Sequence, residues 1–269
     1  MKKVFALLTV LVLLLAAIPA FAETATAAEA TPATARIEAT AAEATAAEAP
    51  AEEEDDATRL STTSKIVVAA LVVLMLVGLY FSAKRVKWNA FMIAKAALCI
   101  ALAYLLGMIR MYRAPMGGSA TLASLLPLIL FAMAFGPLEG LLAGFTFGLL
   151  QLIFDGAYAW GWQSMLLDYL VAFTPLGLAG LFKGKKWGIF VGTVVGCFFR
   201  FVVHYISGVT IYKILAPTEF MKWTFTSPSA YSIVYNGSYM LPNTIIALVI
   251  AAVLYKPLKK YILGQDLPQ

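Results

Sequence analysis

The sequence predicts an all-α polytopic membrane protein, and three observations carry that prediction. Hydrophobic residues make up 61% of the chain and charged residues only 13%. Long, nearly uninterrupted apolar runs recur, such as 66–81 and 124–134, and a helical span needs ~20 mostly apolar residues so that every backbone group is bonded internally. Acids and bases are also segregated: ten of the fifteen acids lie between Glu23 and Asp56, whereas the chain from Ile66 onward holds fifteen Lys and Arg against five acids. The net charge of +5 therefore reports membrane topology, and no nucleic-acid partner follows from it.

The first element is a targeting device. Lys2 and Lys3, the apolar run 4–18 and the small-residue ending Ala20-Phe21-Ala22 form a secretory signal peptide over 1–22, with cleavage before Glu23. Residues 23–62 are Ala, Thr and Glu with almost nothing large, so they cannot bury enough apolar surface to offset ordering entropy. A disordered acidic tether follows; its alternatives are a helical stalk or a partner-binding tail, because Ala and Glu favour helix while Thr and Pro oppose it. An extra transmembrane helix then occupies 63–86, ahead of a six-helix membrane domain over 87–264. The apolar runs predict spans at 65–83, 88–109, 120–135, 138–154, 163–182, 188–208 and 229–255.

With the tail outside, the first span runs inward and delivers Lys84, Arg85 and Lys87 to the cytoplasm. The clusters Lys183, Lys185, Lys186 and Lys256, Lys259, Lys260 then fall on the same side, as the positive-inside rule requires. The expected protein sits in a bacterial cell membrane among its lipids, with its C-terminus cytoplasmic. Arg110, Arg113, Lys213 and Lys222 fall outside, where they cap helix ends or attract an anion.

Packing leaves its own marks. Gly140, Gly144 and Gly148 recur every fourth residue, as do Gly188, Gly192 and Gly196, and such stripes let membrane helices approach closely. Ala97 and Ala101 form a similar pair that faces either the interior or a partner. Cys99 and Cys197 each lie inside an apolar run with no second Cys or His at ligand spacing, so both read as small core residues.

The chemistry concentrates late in the chain. Asp168, His204, Tyr231 and Asn236 interrupt apolar segments near the outer face, and an ionisable group within a bilayer is costly enough that it pairs or lines a ligand path. Asp168 has two expected partners, an ion pair with Arg200 or a bound ligand. Arg200 and His204 are four apart and share a helix face. The only histidine, His204, has no second His to build a metal site. The outer loops are aromatic, carrying Tyr158, Trp160, Trp162, Tyr212 and Trp223. These form either an interfacial belt or, around a buried carboxylate, a site for a flat cation. Asn236-Gly-Ser matches a glycosylation sequon by pattern, but inside a helix the match is chance.

Several spaced motifs make the sequence familiar: Gly-Gly-Ser-Ala-Thr-Leu-Ala-Ser at 117–124, Leu-Leu-Asp-Tyr at 166–169, Gly-Leu-Ala-Gly-Leu-Phe at 177–182, His-Tyr-Ile-Ser-Gly at 204–208 and Tyr-Ser-Ile-Val-Tyr-Asn-Gly at 231–237. From about 97 to 260 the chain resembles the thiamine-specific S components of energy-coupling-factor (ECF) vitamin transporters. The resemblance implies a six-helix fold that captures thiamine at the outer face, without cofactor. It also implies a pocket of Asp168, Tyr169, His204, Tyr212, Tyr231 and Asn236, with Tyr158 in a covering loop. Ala97 and Ala101 would dock on the membrane-embedded T subunit, and two ABC ATPases would supply hydrolysis, since this chain has no Gly-x-x-x-x-Gly-Lys-Ser/Thr loop. The chain departs from the family pattern in having Asp at 168 where Glu is common and Tyr at 212 where Trp is common, so a thiazole or pyrimidine precursor, or another vitamin, is the alternative ligand. Two rival classes are weaker. A hydrolase would pair His204 with Ser207, Ser119 or Ser232, but no Gly-x-Ser-x-Gly elbow is present. A scaffold presenting the acidic tail leaves the buried polar residues unexplained.

Overall fold

The computed structural model describes residues 62–154, 162–211 and 218–263. The expected signal peptide at 1–22, the tether at 23–62 apart from Thr62, and both Tyr158 and Tyr212 lie outside the described residues. Two compact units divide the chain, Met1–Lys65 and Ile66–Gln269, and the second carries everything that follows.

Among the described residues seven helices run in chain order: α1 Thr62–Arg85, α2 Ala90–Met108, α3 Leu126–Phe135, α4 Pro137–Phe154, α5 Trp162–Phe182, α6 Gly188–Thr210 and α7 Pro228–Ile262. All but α3 are long and apolar enough to cross a membrane. Lys84 and Arg85 close α1, where cations complement the unpaired carbonyls of a helix C-terminus. Asn89 opens α2 by accepting from the Met92 amide at 2.8 Å, an N-cap bond of the usual kind.

The span expected over 120–135 differs most from the sequence reading. Its helix starts only at Leu126 and is ten residues long, while Ser119–Thr121 (β2) pairs antiparallel with Arg110–Arg113 (β1). A buried asparagine draws that stretch out of helix: Asn243 of α7 accepts from the Thr121 amide at 2.9 Å and donates to the Ser119 carbonyl at 2.8 Å. Gly117, at φ 86, supplies the left-handed residue that the turn needs. What remains, α3, is apolar on every side, and Ile129, Phe131, Ala132, Met133 and Ala134 are fully buried, as expected for a helix enclosed by others. A second short hairpin pairs Thr218–Phe220 (β3) with Trp223–Phe225 (β4).

Both glycine stripes face the same helix. A Cβ on Gly144 or Gly148 of α4 would collide with the backbone of Phe173 or Tyr169, and one on Gly188 or Gly192 of α6 would meet Phe182 or Ala179. Thus α5 is clamped between two surfaces without side chains, at backbone contact. That helix is also irregular, with α-helix at Trp162–Met165, a π-turn at Leu166–Val171 and a 3-10 segment at Thr174–Phe182. Pro175 contributes by withholding the amide that an α-helix would use there.

One end of the bundle gathers the basic clusters. Ser82 donates to the Leu138 carbonyl at 2.6 Å, Lys183 to the Phe135 carbonyl at 2.9 Å, and Tyr255 to the Lys186 carbonyl at 2.9 Å. Phe135 also meets Tyr261 edge-on at 6.5 Å. These contacts hold α7 helical past Pro257 to Ile262, beyond its expected end at 255, with Ile262 fully buried. The two hairpins lie at the opposite end.

Candidate ligand-binding site

The π-turn of α5 aims Asp168 at α6. Its Oδ1 lies 3.1 Å from His204 Nδ1, and its Oδ2 accepts from the Ser207 hydroxyl at 3.1 Å. His204 and Ser207 are three apart and so share a helix face. The two charged-type side chains keep only 15% and 11% of their surface exposed. π-turns often mark functional positions; here the widened turn carries both Asp168 and Tyr169, with the Tyr169 carbonyl facing Gly148.

Arg200 does not take the expected place against Asp168. Its guanidinium carbon stands 4.1 Å from the Phe173 ring centroid, a cation–π arrangement, and its Nε has no hydrogen-bond partner among the described residues.

Asn236 joins α7 to this group. Its Nδ2 donates to the Ser232 carbonyl at 2.9 Å, to the Ser232 hydroxyl at 3.1 Å and to the His204 carbonyl at 3.3 Å. Its Oδ1 accepts from the Tyr239 hydroxyl at 2.6 Å. Ser232 in turn donates to the Tyr205 carbonyl at 3.0 Å, and Gly208 permits the approach, since a Cβ there would strike the Ser232 hydroxyl. The amide of Asn236 thus joins α6 to α7 through the His204 carbonyl and bonds Tyr239 within α7.

An aromatic column rises from His204 toward the hairpins. Tyr239 meets the His204 ring edge-on at 6.1 Å, Tyr235 meets Tyr239 edge-on at 5.8 Å, and Tyr231 stacks on Tyr235 at 5.6 Å with 7° between planes. Phe220 and Phe225 of the second hairpin pack edge-on against Tyr231. The first hairpin is tied to the same column: the Gly118 amide donates to the Tyr235 hydroxyl at 3.2 Å, and the Tyr231 hydroxyl contacts Met116 Sδ at 3.4 Å. Both hairpins are thereby fixed over one end of the acid.

Of the residues singled out from sequence, Asp168, His204 and Asn236 meet directly. Tyr169 adjoins Asp168 on the π-turn, and Tyr231 reaches the group through Tyr235 and Tyr239. Ala97 and Ala101 lie elsewhere, on an apolar groove of about 600 Å³ between α2 and α4 whose lining includes Trp88, Ile100 and Leu142. Trp162 and Trp223 are 60% and 66% exposed, which is the behaviour of interfacial residues. The sequence reading missed Tyr235 and Tyr239, although their four-residue spacing from Tyr231 places them on its face. It also missed Asn243. The hydrolase pairing does not form: Ser207 donates to Asp168 and Ser232 to a carbonyl, and among the described residues neither is bonded to His204.

The chain is similar to proteins described as thiamine transporters. The thiamine transporter ThiT of Bacillus subtilis (strain 168) is 31% identical over 154 residues, which cover 52% of this chain and 77% of that protein. The thiamine transporter ThiT of Lacticaseibacillus paracasei is 30% identical over 161 residues, covering 53% and 76%. A solved structure of ThiT from Listeria monocytogenes superposes with a TM-score of 0.55 at 22% identity over 64% of this chain and 97% of that one, a likeness of fold. The family described as Thiamine transporter protein (Thia_YuaJ) matches residues 93–263, from the first turn of α2 to just past the end of α7, and on that match this chain belongs to it.

Proposed function

We propose that the chain captures thiamine at the outer face of the membrane and serves as the S component of an ECF transporter. The observation that carries this reading is Asp168, held by His204 and Ser207 inside the membrane domain and joined through His204 to a column of tyrosines, in a member of the Thiamine transporter protein family. The chemistry suits the ligand. The thiazolium is a flat cation, drawn to aromatic faces by ~0.5–2 kcal/mol and to the carboxylate of Asp168 by charge. The neutral aminopyrimidine offers hydrogen-bonding groups to the polar side chains around it. Tyr158, Tyr169, Tyr212 and Tyr231 line or cover the pocket, and Asn236 holds its wall.

Orientation follows from charge. The basic clusters share one end, and positive residues stay cytoplasmic, so the hairpins and the acidic tail face outward and the C-terminus faces the cytosol. The groove at Ala97 and Ala101 receives the T subunit, where small residues allow close helix approach, and two partner ATPases drive reorientation, a form of alternating access.

Tryptophan fluorescence of the purified chain titrated with thiamine tests the reading. Saturable quenching at stoichiometric thiamine is expected; no response, together with no thermal stabilisation by thiamine, sinks it, because a ligand that binds only the folded state must raise the melting temperature.

A further inference from the structure

Both halves of the Asn243 amide hold β2. Its Oδ1 accepts from the Thr121 amide at 2.9 Å and from the Thr121 hydroxyl at 3.2 Å, and its Nδ2 donates to the Ser119 carbonyl at 2.8 Å. Asn243 is 3% exposed and Thr121 7%, so a lost bond here leaves a buried polar group unmet. Just beyond, the chain turns into α3 through Ala123 at φ 53, a left-handed conformation that a residue with a Cβ avoids. The Thr121 and Ser124 hydroxyls meet across that turn at 2.6 Å. Strained backbone persists where its surroundings over-determine it, and Asn243 is one of the constraints.

Asn243 also ends a stripe. Tyr231, Tyr235, Tyr239 and Asn243 recur every fourth residue and follow one face of α7, ~6 Å apart along its axis. They meet the first hairpin in the same order. The Tyr231 hydroxyl contacts Met116 Sδ at 3.4 Å, the Tyr235 hydroxyl accepts from the Gly118 amide at 3.2 Å, and the Tyr239 ring fills the place that a Cβ on Gly118 would take. Extended chain advances ~6.6 Å in two residues, so strand and helix face stay in step. Asn243 binds the backbone on both sides of Ala120, and so fixes the register of β2 and not the place of one side chain.

We infer that Asn243 is a positioning residue for ligand capture: by setting the register of β2 it determines which hairpin residues stand against the tyrosine column that leads to His204 and Asp168. The inference rests on the thiamine reading above. A one-residue slip turns every side chain of a strand to its other face. A slip that brings Ser119 to the place of Gly118 sets a Cβ against the Tyr239 ring, and Tyr239 must then move from the edge of His204. The ligand meets a column of another shape, although no atom that touches it has been changed.

The full chain in detergent is titrated with thiamine by calorimetry, whose stoichiometry reports the folded fraction apart from the affinity, and its melting temperature is recorded without ligand. Asn243→Leu strips both amide functions from β2 and should bind about tenfold or more weakly, at native stoichiometry. Asn243→Ser keeps a polar group and leaves room for water; it should lose about threefold or more, and it carries the test where the leucine variant does not fold. Coupling is the second readout. Tyr235→Phe removes the hydroxyl that accepts from Gly118 and should weaken binding about threefold or more in the native chain, but less than about twofold in the Asn243→Ser background, because two residues that act on one element are not additive. A merely structural Asn243 lowers the melting temperature and leaves the affinity native, which overturns the inference. So do losses that multiply in the double variant, and so does a Tyr235→Phe without effect. A native chain that does not bind thiamine overturns the thiamine reading itself, a result distinct from a binding chain that is indifferent to Asn243.

Discussion

Asn236 and Asp168 both bond neighbouring side chains, and what distinguishes Asn236 is that its amide carries no charge. Its acceptor is held by the Tyr239 hydroxyl at 2.6 Å, so Tyr239→Phe leaves a buried carbonyl-type oxygen without its donor while keeping the ring that meets His204. A loss of about 1–2 kcal/mol in stability is expected for such a deletion, read by thermal unfolding in detergent. Thiamine affinity should change much less than in Asp168→Asn. There the charge disappears while the shape stays, and removing one member of a buried charge pair costs ~2 kcal/mol or more, about thirtyfold in affinity. Titration of the two variants side by side separates a residue that positions from one that attracts; equal losses would erase that distinction. The difference was only half legible in the sequence. Asp168, His204 and Asn236 stand out because polar side chains are rare within apolar runs, but a sequence does not say which of them spends its bonds on neighbours. Ser207 and Ser232 are harder still, since serine in a membrane helix usually bonds its own backbone, and only the α5–α6 and α6–α7 crossings give these two other partners.

At the scale of elements, glycine decides how near α5 can stand to its neighbours. Gly148→Ala places a methyl against the Tyr169 backbone, beside the turn that carries Asp168, and overpacking of this kind costs ~1–3 kcal/mol. Stability and thiamine affinity should fall together. Gly237→Ala is the matched control: no atom lies within 4 Å of its added Cβ, and removing a mid-helix glycine gains roughly 0.5–1 kcal/mol. Opposite shifts in melting temperature are the expected result, and a destabilised Gly237→Ala would contradict the packing described. The stripes themselves were readable, as were all seven helices, because apolar length and small-residue spacing are local properties. The exceptions had no local signal. A two-residue hairpin turn with both φ values positive normally advertises itself with Asn or Gly, yet here Met221 and Lys222 sit at φ 51 and φ 67, held by Phe220 and Phe225 packing on Tyr231. Residues 120 and 121 read as the start of a span until Asn243, more than a hundred residues away, claims the backbone of Ser119 and Thr121. The π-turn at Leu166–Val171 likewise has no signature in the composition of its segment.

Across the whole molecule, the proposed capture site and the proposed docking surface occupy different places. The acid and its tyrosine column stand toward the hairpin end, whereas the groove at Ala97 and Ala101 runs between α2 and α4 and shares none of the residues that hold Asp168. On the proposed reading, the ligand is held among α5, α6 and α7 and a partner docks at the groove. Ala97→Leu combined with Ala101→Leu fills the groove with bulk and removes the close approach that small residues permit between membrane helices. Thiamine affinity of the purified variant should stay within about twofold of native, because the added atoms meet neither α5 nor α6. Uptake of labelled thiamine by cells making this chain together with a T subunit and two ATPases should fall at least tenfold, a loss equivalent to 1.4 kcal/mol or more of docking free energy. Uptake that survives the double substitution would move the docking surface to another face, with α1 next in line, since it packs on α4 through Ser82 and the Leu138 carbonyl and lies ahead of the family's matched region.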